Sequence, residues 1–142
     1  MEPARAVIER LVLAPHPEGG WYRQTWIADA APGVRAGGTA ILFLLEAGTR
    51  SHWHTVDAAE LWFWHAGAPI VLKTAPGDAG PVTSVTLGDD VMAGQAAQGI
   101  VLPHHWQAAE AREGWGLVSC VVVPGFDFAG FRMAAEGWAP GT

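Results

Sequence analysis

The chain has a single cysteine, Cys120, among 142 residues, so no disulfide can staple it internally and stability must come from an apolar core. A reducing, cytoplasmic setting is the expectation. Charge is scarce as well: only 15% of residues are Asp, Glu, Lys or Arg, and eight Lys and Arg face fourteen acids for a net charge of −6. The cations are scattered singly, so there is no basic stripe to neutralise phosphates, and nucleic acid is excluded as an expected partner. No apolar run is long enough to span a bilayer, and the opening Met1, Glu2, Pro3 lacks the basic flank of a secretory signal. A soluble protein without a membrane partner is expected. Fixed-period repeats and low-complexity tracts are absent too. Asp29 to Gly38 reads as a loop rather than a linker, which leaves residues 1–142 as one domain.

Gly and Pro are plentiful, at 18 and 10, and half the residues are hydrophobic. That balance suits many short strands joined by turns and argues against a helical bundle. Ala4, Val7, Ile8 and Leu11 follow helical spacing, predicting one short N-terminal amphipathic helix. About ten strands follow: GWYRQTWI, TAILFLLEA, SHWHTV, AELWFWHA, PIVLKTA, VTSVTL, QGIVLP, WQAAEA, GWGLVSCVVV and GFRMAAE. Their short, even intervals predict an all-β closed barrel or two-sheet jelly roll, an architecture that usually encloses a pocket. Cys120, inside LVSCVVV, reads as a buried small hydrophobe.

The stretch SHWHTVDAAELWFWHAG, Ser51 to Gly67, concentrates three of the six histidines and three of the eight tryptophans. Along a regular strand, positions i and i+2 share a face, so His52 and His54 are expected to point together and Trp53 away. Five residues later the chain has had room to turn back and bring Glu60 to the same interior. Two imidazoles and a carboxylate suit a divalent Fe, Mn, Ni or Zn ion; they also suit a set of hydrogen-bonded polar strand residues. Trp62 and Trp64 share the phase of Glu60 and are expected either to wall the cavity or to pack the core. Phe63 and His65 fall on the opposite phase, and Asp57 reads as a turn-former.

Gly48, His52, His54, Glu60 and Gly67 resemble the first motif of the cupin superfamily. LAPHPEGGWYRQTW (Leu13 to Trp26) and VVVPGFDFAGFRMA (Val121 to Ala134) resemble the two ends of the cupin 5 family. The resemblance implies the cupin double-stranded β-helix, commonly a homodimer, with a small-molecule pocket inside and no settled reaction. In the second cupin motif, P-x-G-x-x-H, the chain reads PHHWQA. Pro103 matches, His105 stands for the glycine and Ala108 occupies the position of the histidine ligand. Gln107 offers an amide oxygen there, with His104 and His105 nearby.

PEGGWYRQTW is also loosely similar to an early strand of cupin epimerases acting on deoxysugar nucleotides. With His16 just before it, the stretch holds Glu18, Tyr22, Arg23 and Gln24, with Gly19 and Gly20 serving a tight turn. Tyr22, the only tyrosine, reads as a catalytic acid or as a structural residue, and Arg23 as an anchor for an anionic substrate or a surface pair. PGFDF, Pro124 to Phe128, reads as a packed turn closing the barrel or meeting a second subunit. Three functions follow. In the first, His52, His54 and Glu60 hold a metal, with Gln107 or water completing its shell and a small polar substrate against Trp62 and Trp64. In the second, a metal-free isomerase or epimerase uses His54 or His52 as base, Tyr22 or a second histidine as acid, and Glu60 to fix the tautomer of the base. The third is a binding or storage protein without turnover.

Overall fold

The computed structural model describes residues 1–141. One helix, α1 (Ala4–Leu11), precedes eleven strands: β1 (Ala14–Pro15), β2 (Trp21–Ile27), β3 (Thr39–Leu45), β4 (Arg50–Val56), β5 (Ala59–Gly67), β6 (Ile70–Ala75), β7 (Thr83–Leu87), β8 (Gln98–Val101), β9 (Trp106–Ala111), β10 (Gly116–Val123) and β11 (Phe131–Met133). The strands form two antiparallel sheets, of order β1-β2-β3-β10-β5-β8 and β11-β4-β9-β6-β7. All-β architecture and an N-terminal helix are therefore both present, and the sheets face each other as a jelly roll. No helix among the described residues is long and apolar enough to cross a membrane.

Alternation along the strands decides which side chains enter the sandwich. On β10, Val118, Cys120 and Val122 are buried while Leu117, Ser119 and Val121 are half-buried on the outer face. The inner side chains of both sheets build one core, in which Phe43, Leu45, Trp62, Ile70, Leu72, Leu87 and Val118 are almost fully buried. Each such side chain contributes about 1.5–3 kcal/mol through burial. Outside the six-stranded sheet, α1 lays Ile8 against Leu13 and Leu44, with Val7, Leu11, Trp21 and Trp115 around them. The helix stops at Val12, whose φ of 57° cannot continue it.

The core fills one end of the sandwich. Toward the other end lie Thr39 and Ile41 of β3, His54 and Val56 of β4, Glu60 of β5, and Cys120 and Val122 of β10, and there a cavity opens. The PGFDF segment closes this end: Phe126 and Phe128 line the cavity, and the Phe126 amide donates to Thr39 Oγ1 at 2.9 Å.

Candidate functional site

The cavity has a volume of about 240 Å³ and is lined by His16, Glu18, Tyr22, Gln24, Thr39, Ile41, His54, Val56, Glu60, Cys120, Val122, Phe126 and Phe128. Its acids and imidazoles converge from three elements, the β1–β2 turn, β4 and β5. Glu18 arrives from the turn between β1 and β2, where the His16 amide donates to the Gly20 carbonyl at 2.9 Å. This turn presses on the start of β4: the His52 amide donates to the Glu18 carbonyl at 2.7 Å, and a Cβ on Gly19 would sit 2.6 Å from the Arg50 carbonyl oxygen. Only glycine fits there, with φ at +104°. The acid at position 18 is thereby carried into the barrel, with 7% of its surface exposed.

Inside, Glu18 Oε2 lies 3.1 Å from His54 Nε2 and 3.8 Å from His16 Nδ1. His54 Nδ1 donates to the His52 carbonyl at 2.7 Å, which leaves Nε2 as the acceptor of the neutral ring. Burial pushes Glu18 up to about 8 and His54 down. Both directions leave the shared proton on Glu18, which donates it to His54 Nε2. His16 Nδ1 accepts the Glu18 backbone N–H at 3.1 Å. Burial, with His54 beside it, lowers His16 to about 4, so it stays neutral.

Glu60 is held differently. Gln107 Nε2 donates to Glu60 Oε1 at 3.0 Å, and Gln107 Oε1 accepts the indole N–H of Trp62 at 3.1 Å. Cys120 lines the same cavity. Burial and the neighbouring Glu18 raise Glu60 to about 7, against the pull of His54, Gln107 and Cys120. Burial and the two carboxyls push the thiol well above its usual value, so it remains protonated.

Of the residues expected to form the site, His54, Glu60 and Tyr22 line the cavity together. Tyr22 stacks edge-on against His16, with ring centroids 4.5 Å apart. Gln107 lies behind Glu60 and positions it.

His52 does not join them. The β4–β9 pairing slips between Ser51 and His54: Ser51 faces Ala109 and His54 faces Gln107, three residues on one strand against two on the other. This bulge reverses the alternation, so Ser51 and His54 point inward, and His52 lies on an outer groove beside Arg50, Trp53, Lys73 and Glu110. Trp62 and Trp64 are not cavity walls either. Trp62 is 1% exposed in the core, and Trp64 packs against the core and donates its indole N–H to the Ala68 carbonyl at 3.0 Å. Arg23 is exposed and donates Nε to the Leu11 carbonyl at 2.7 Å, tying β2 to the end of α1. His104 lines another outer groove with Asp57, Asp78 and Arg132.

The metal set expected from sequence, His52, His54 and Glu60, does not converge. His52 points away from His54 and Glu60, the Gln107 amide oxygen is occupied by Trp62, and Ala108 has no donor. Among the described residues, no group of three His, Cys, Asp or Glu side chains is arranged to hold a metal ion.

His16 and Glu18 carry half of the ionisable cluster. Sequence spacing placed them among polar candidates without assigning them a role, because their entry depends on a turn inserted from outside the hairpin that carries the histidines. Cys120 was legible as buried; its place on the cavity lining beside Val122 follows from the inward phase of β10.

Two solved structures match along nearly the whole chain. A protein from Shewanella oneidensis is 34% identical with a TM-score of 0.88, covering 95% of this chain and 86% of its own. A protein from Leishmania major is 30% identical with a TM-score of 0.85, covering 96% and 90%. Oxalate decarboxylase from Bacillus subtilis shares the fold at 13% identity and a TM-score of 0.64, with 84% of this chain matching 29% of that one. No curated protein matches the sequence. The family described as "Cupin superfamily (DUF985)" matches residues 5–134, and the chain belongs to that family, Cupin_5.

Proposed function

We propose that this cupin is a small-molecule enzyme that moves protons at carbon without a metal, an isomerase or epimerase in reaction class. The observation that carries the reading is the Glu18–His54 pair, 3.1 Å apart at the wall of the cavity. A neutral imidazole whose outer nitrogen is fixed on a backbone carbonyl keeps its inner nitrogen as a base, and a carboxylic acid raised toward neutrality is a proton donor at physiological pH. The step needs no external reagent. His54 Nε2 takes the proton from a carbon beside a carbonyl, while Glu18 gives its proton to the carbonyl oxygen, forming a neutral enediol. In an isomerase, His54 returns its proton to the neighbouring carbon while that carbon's hydroxyl gives its proton to Glu18, which resets the pair. In an epimerase, Tyr22 gives its proton to the other face of the same carbon, Glu18 recovers its proton from the enediol, and His54 passes its proton back to the Tyr22 phenolate through water. Tyr22 lines the same cavity beside His16, and this reading assigns it the proton donated to the second face.

Solvent deuterium exchange tests this. Small hydroxy-ketones, amino-ketones and ketoses incubated with the protein in D2O should gain deuterium at the carbon beside the carbonyl. Glu18→Gln and His54→Gln should each slow that exchange by about 10²–10⁴-fold. No exchange across the panel, or exchange that His54→Gln leaves untouched, sinks the reading and leaves a binding protein in its place.

A homodimer is part of the same proposal. Leu61, Val121 and Ile100 are neighbours across three strands on the outer face of the six-stranded sheet, and Ile100 is 59% exposed. An apolar patch of this kind suits a self-complementary contact. Light scattering behind size exclusion should give twice the 15.0 kDa chain mass, and a monomer at micromolar concentration overturns it.

A further inference from the structure

Glu60 is built as an anchor for a positive charge that the protein does not supply. Its side chain is 7% exposed, and the Gln107 amide donates to it at 3.0 Å, with Cys120 beside it on the cavity lining. A donor of this kind holds a carboxyl in one orientation and favours its ionised form. Yet no Lys or Arg is among the described residues that line the cavity. Nearby cations are engaged elsewhere: Arg35 on Asp57, Lys73 on Glu110 and Arg23 on the Leu11 carbonyl. The second acid, Glu18, faces the same space and repels a charge on Glu60. A buried carboxylate whose cationic candidates on the lining are imidazoles that burial keeps neutral, His54 and His16, is unfavourable until a cation arrives. Beyond it the lining is apolar, formed by Ile41, Val122, Phe126 and Phe128.

The geometry points to a site for a small primary amine, its ammonium on Glu60 and its apolar body against Val122, Phe126 and Phe128. This rests on the reading of the cavity as the substrate site and assigns that substrate its class, an amine without phosphate or carboxylate. An ammonium carries three N–H donors and no acceptor, which matches Glu60, Glu18 and Thr39 as acceptors on the lining. The division of labour is then clear: Glu60, held by the Gln107 amide, anchors the ligand, and the Glu18–His54 pair, with its mobile proton, acts on it. A volume of about 240 Å³ lies at the small end of ligand sites, so the amine is compact. Phosphorylated and carboxylated molecules meet two acids and no cation, and are turned away.

Titration calorimetry with three shape-matched probes tests the assignment: 2-phenylethylamine, 2-phenylethanol and 3-phenylpropionate. The amine should bind about tenfold or more tightly than the alcohol, the margin of one charge-assisted hydrogen bond, and the propionate should not bind. Glu60→Gln, which keeps the shape and removes the charge, should erase the amine's advantage and leave the alcohol's affinity unchanged. Equal affinity for amine and alcohol, binding of the propionate, no binding of the amine, or an advantage that survives Glu60→Gln each overturns the proposal. The comparison on the unaltered protein stands even if the variant fails to fold. The two readings fail separately. Amine preference without deuterium exchange into any substrate leaves the anchor and removes proton transfer. Exchange into neutral ketoses without amine preference does the reverse.

Discussion

Gln107 uses both ends of its amide inside the barrel, accepting from the Trp62 indole at 3.1 Å and donating to Glu60 at 3.0 Å while 1% exposed. Leucine at this position fills a similar volume but leaves a buried indole N–H and a buried carboxyl without partners. The expected cost of Gln107→Leu is about 2–4 kcal/mol, the sum of two unmet polar groups, read from urea denaturation. Gln107→Glu is the informative companion, since a second acid against Glu60 should be worse at pH 8 than at pH 5. A cost below about 1 kcal/mol for the leucine variant would show that the bridge is not made. At this scale the sequence was partly legible. His54 and Glu60 were readable as cavity residues from motif and spacing. His52 was not, because one extra residue in β4 flips the alternation, and a bulge leaves no mark in H-x-H itself.

The elements were the most legible part, since helical spacing in α1 and period-two alternation in β10 are direct consequences of burying one face. What alternation does not encode is how separate loops meet over the cavity. Arg35, in the loop between β2 and β3, reaches the turn between β4 and β5, where it donates to both carboxyl oxygens of Asp57 at 3.0 and 2.7 Å. Its Nε also donates to the Gly125 carbonyl at 2.6 Å. The Gly125 amide in turn donates to the Ala36 carbonyl at 2.8 Å. Asp57, expected as a turn-former, is thus also half of a clasp on the segment that presents Phe126 and Phe128 to the cavity. Arg35→Ala should cost about 1 kcal/mol globally, because the pair is half-exposed. The larger effect is local: amide hydrogen exchange over Gly125–Gly130 should quicken about tenfold or more while β3 and β10 keep their protection. Unchanged exchange in that segment would mean that its packing, with Phe126, Phe128 and Phe131 in edge contact, suffices without the clasp.

For the whole molecule, composition announced a fold that buries much and charges little, and the consequence is a stability governed by a few interior ionisable groups. Glu18 and Glu60 are raised to about 8 and about 7 from 4.5. The folded protein therefore holds protons that the unfolded chain has lost, and stability falls as pH rises from about 4.5 through those values. His16, lowered from 6.5 to about 4, and His54, also lowered, act oppositely. The unfolded chain takes up protons that the folded one refuses, so stability falls as pH drops below about 6.5. Asp57 and Glu110 are depressed by Arg35 and Arg112 and add to the acid limb. Between about 4.5 and 6.5 the carboxyls and imidazoles oppose each other, which predicts a broad maximum there. Each group contributes up to about 1.4 kcal/mol per pH unit across its own window, so about 2–3 kcal/mol should be lost between pH 6.5 and 8 as Glu60 and then Glu18 ionise. Urea denaturation at pH 4, 5.5, 7 and 8.5 reads the curve directly. Glu18→Gln should flatten the alkaline limb and His16→Asn should soften the acid one. Stability that rises steadily to pH 8.5 would mean that the two carboxyls find a cation in solution or lie open to water, and the ligand-free cavity would not be the uncompensated acidic pocket from which both the proton-transfer chemistry and the amine preference follow.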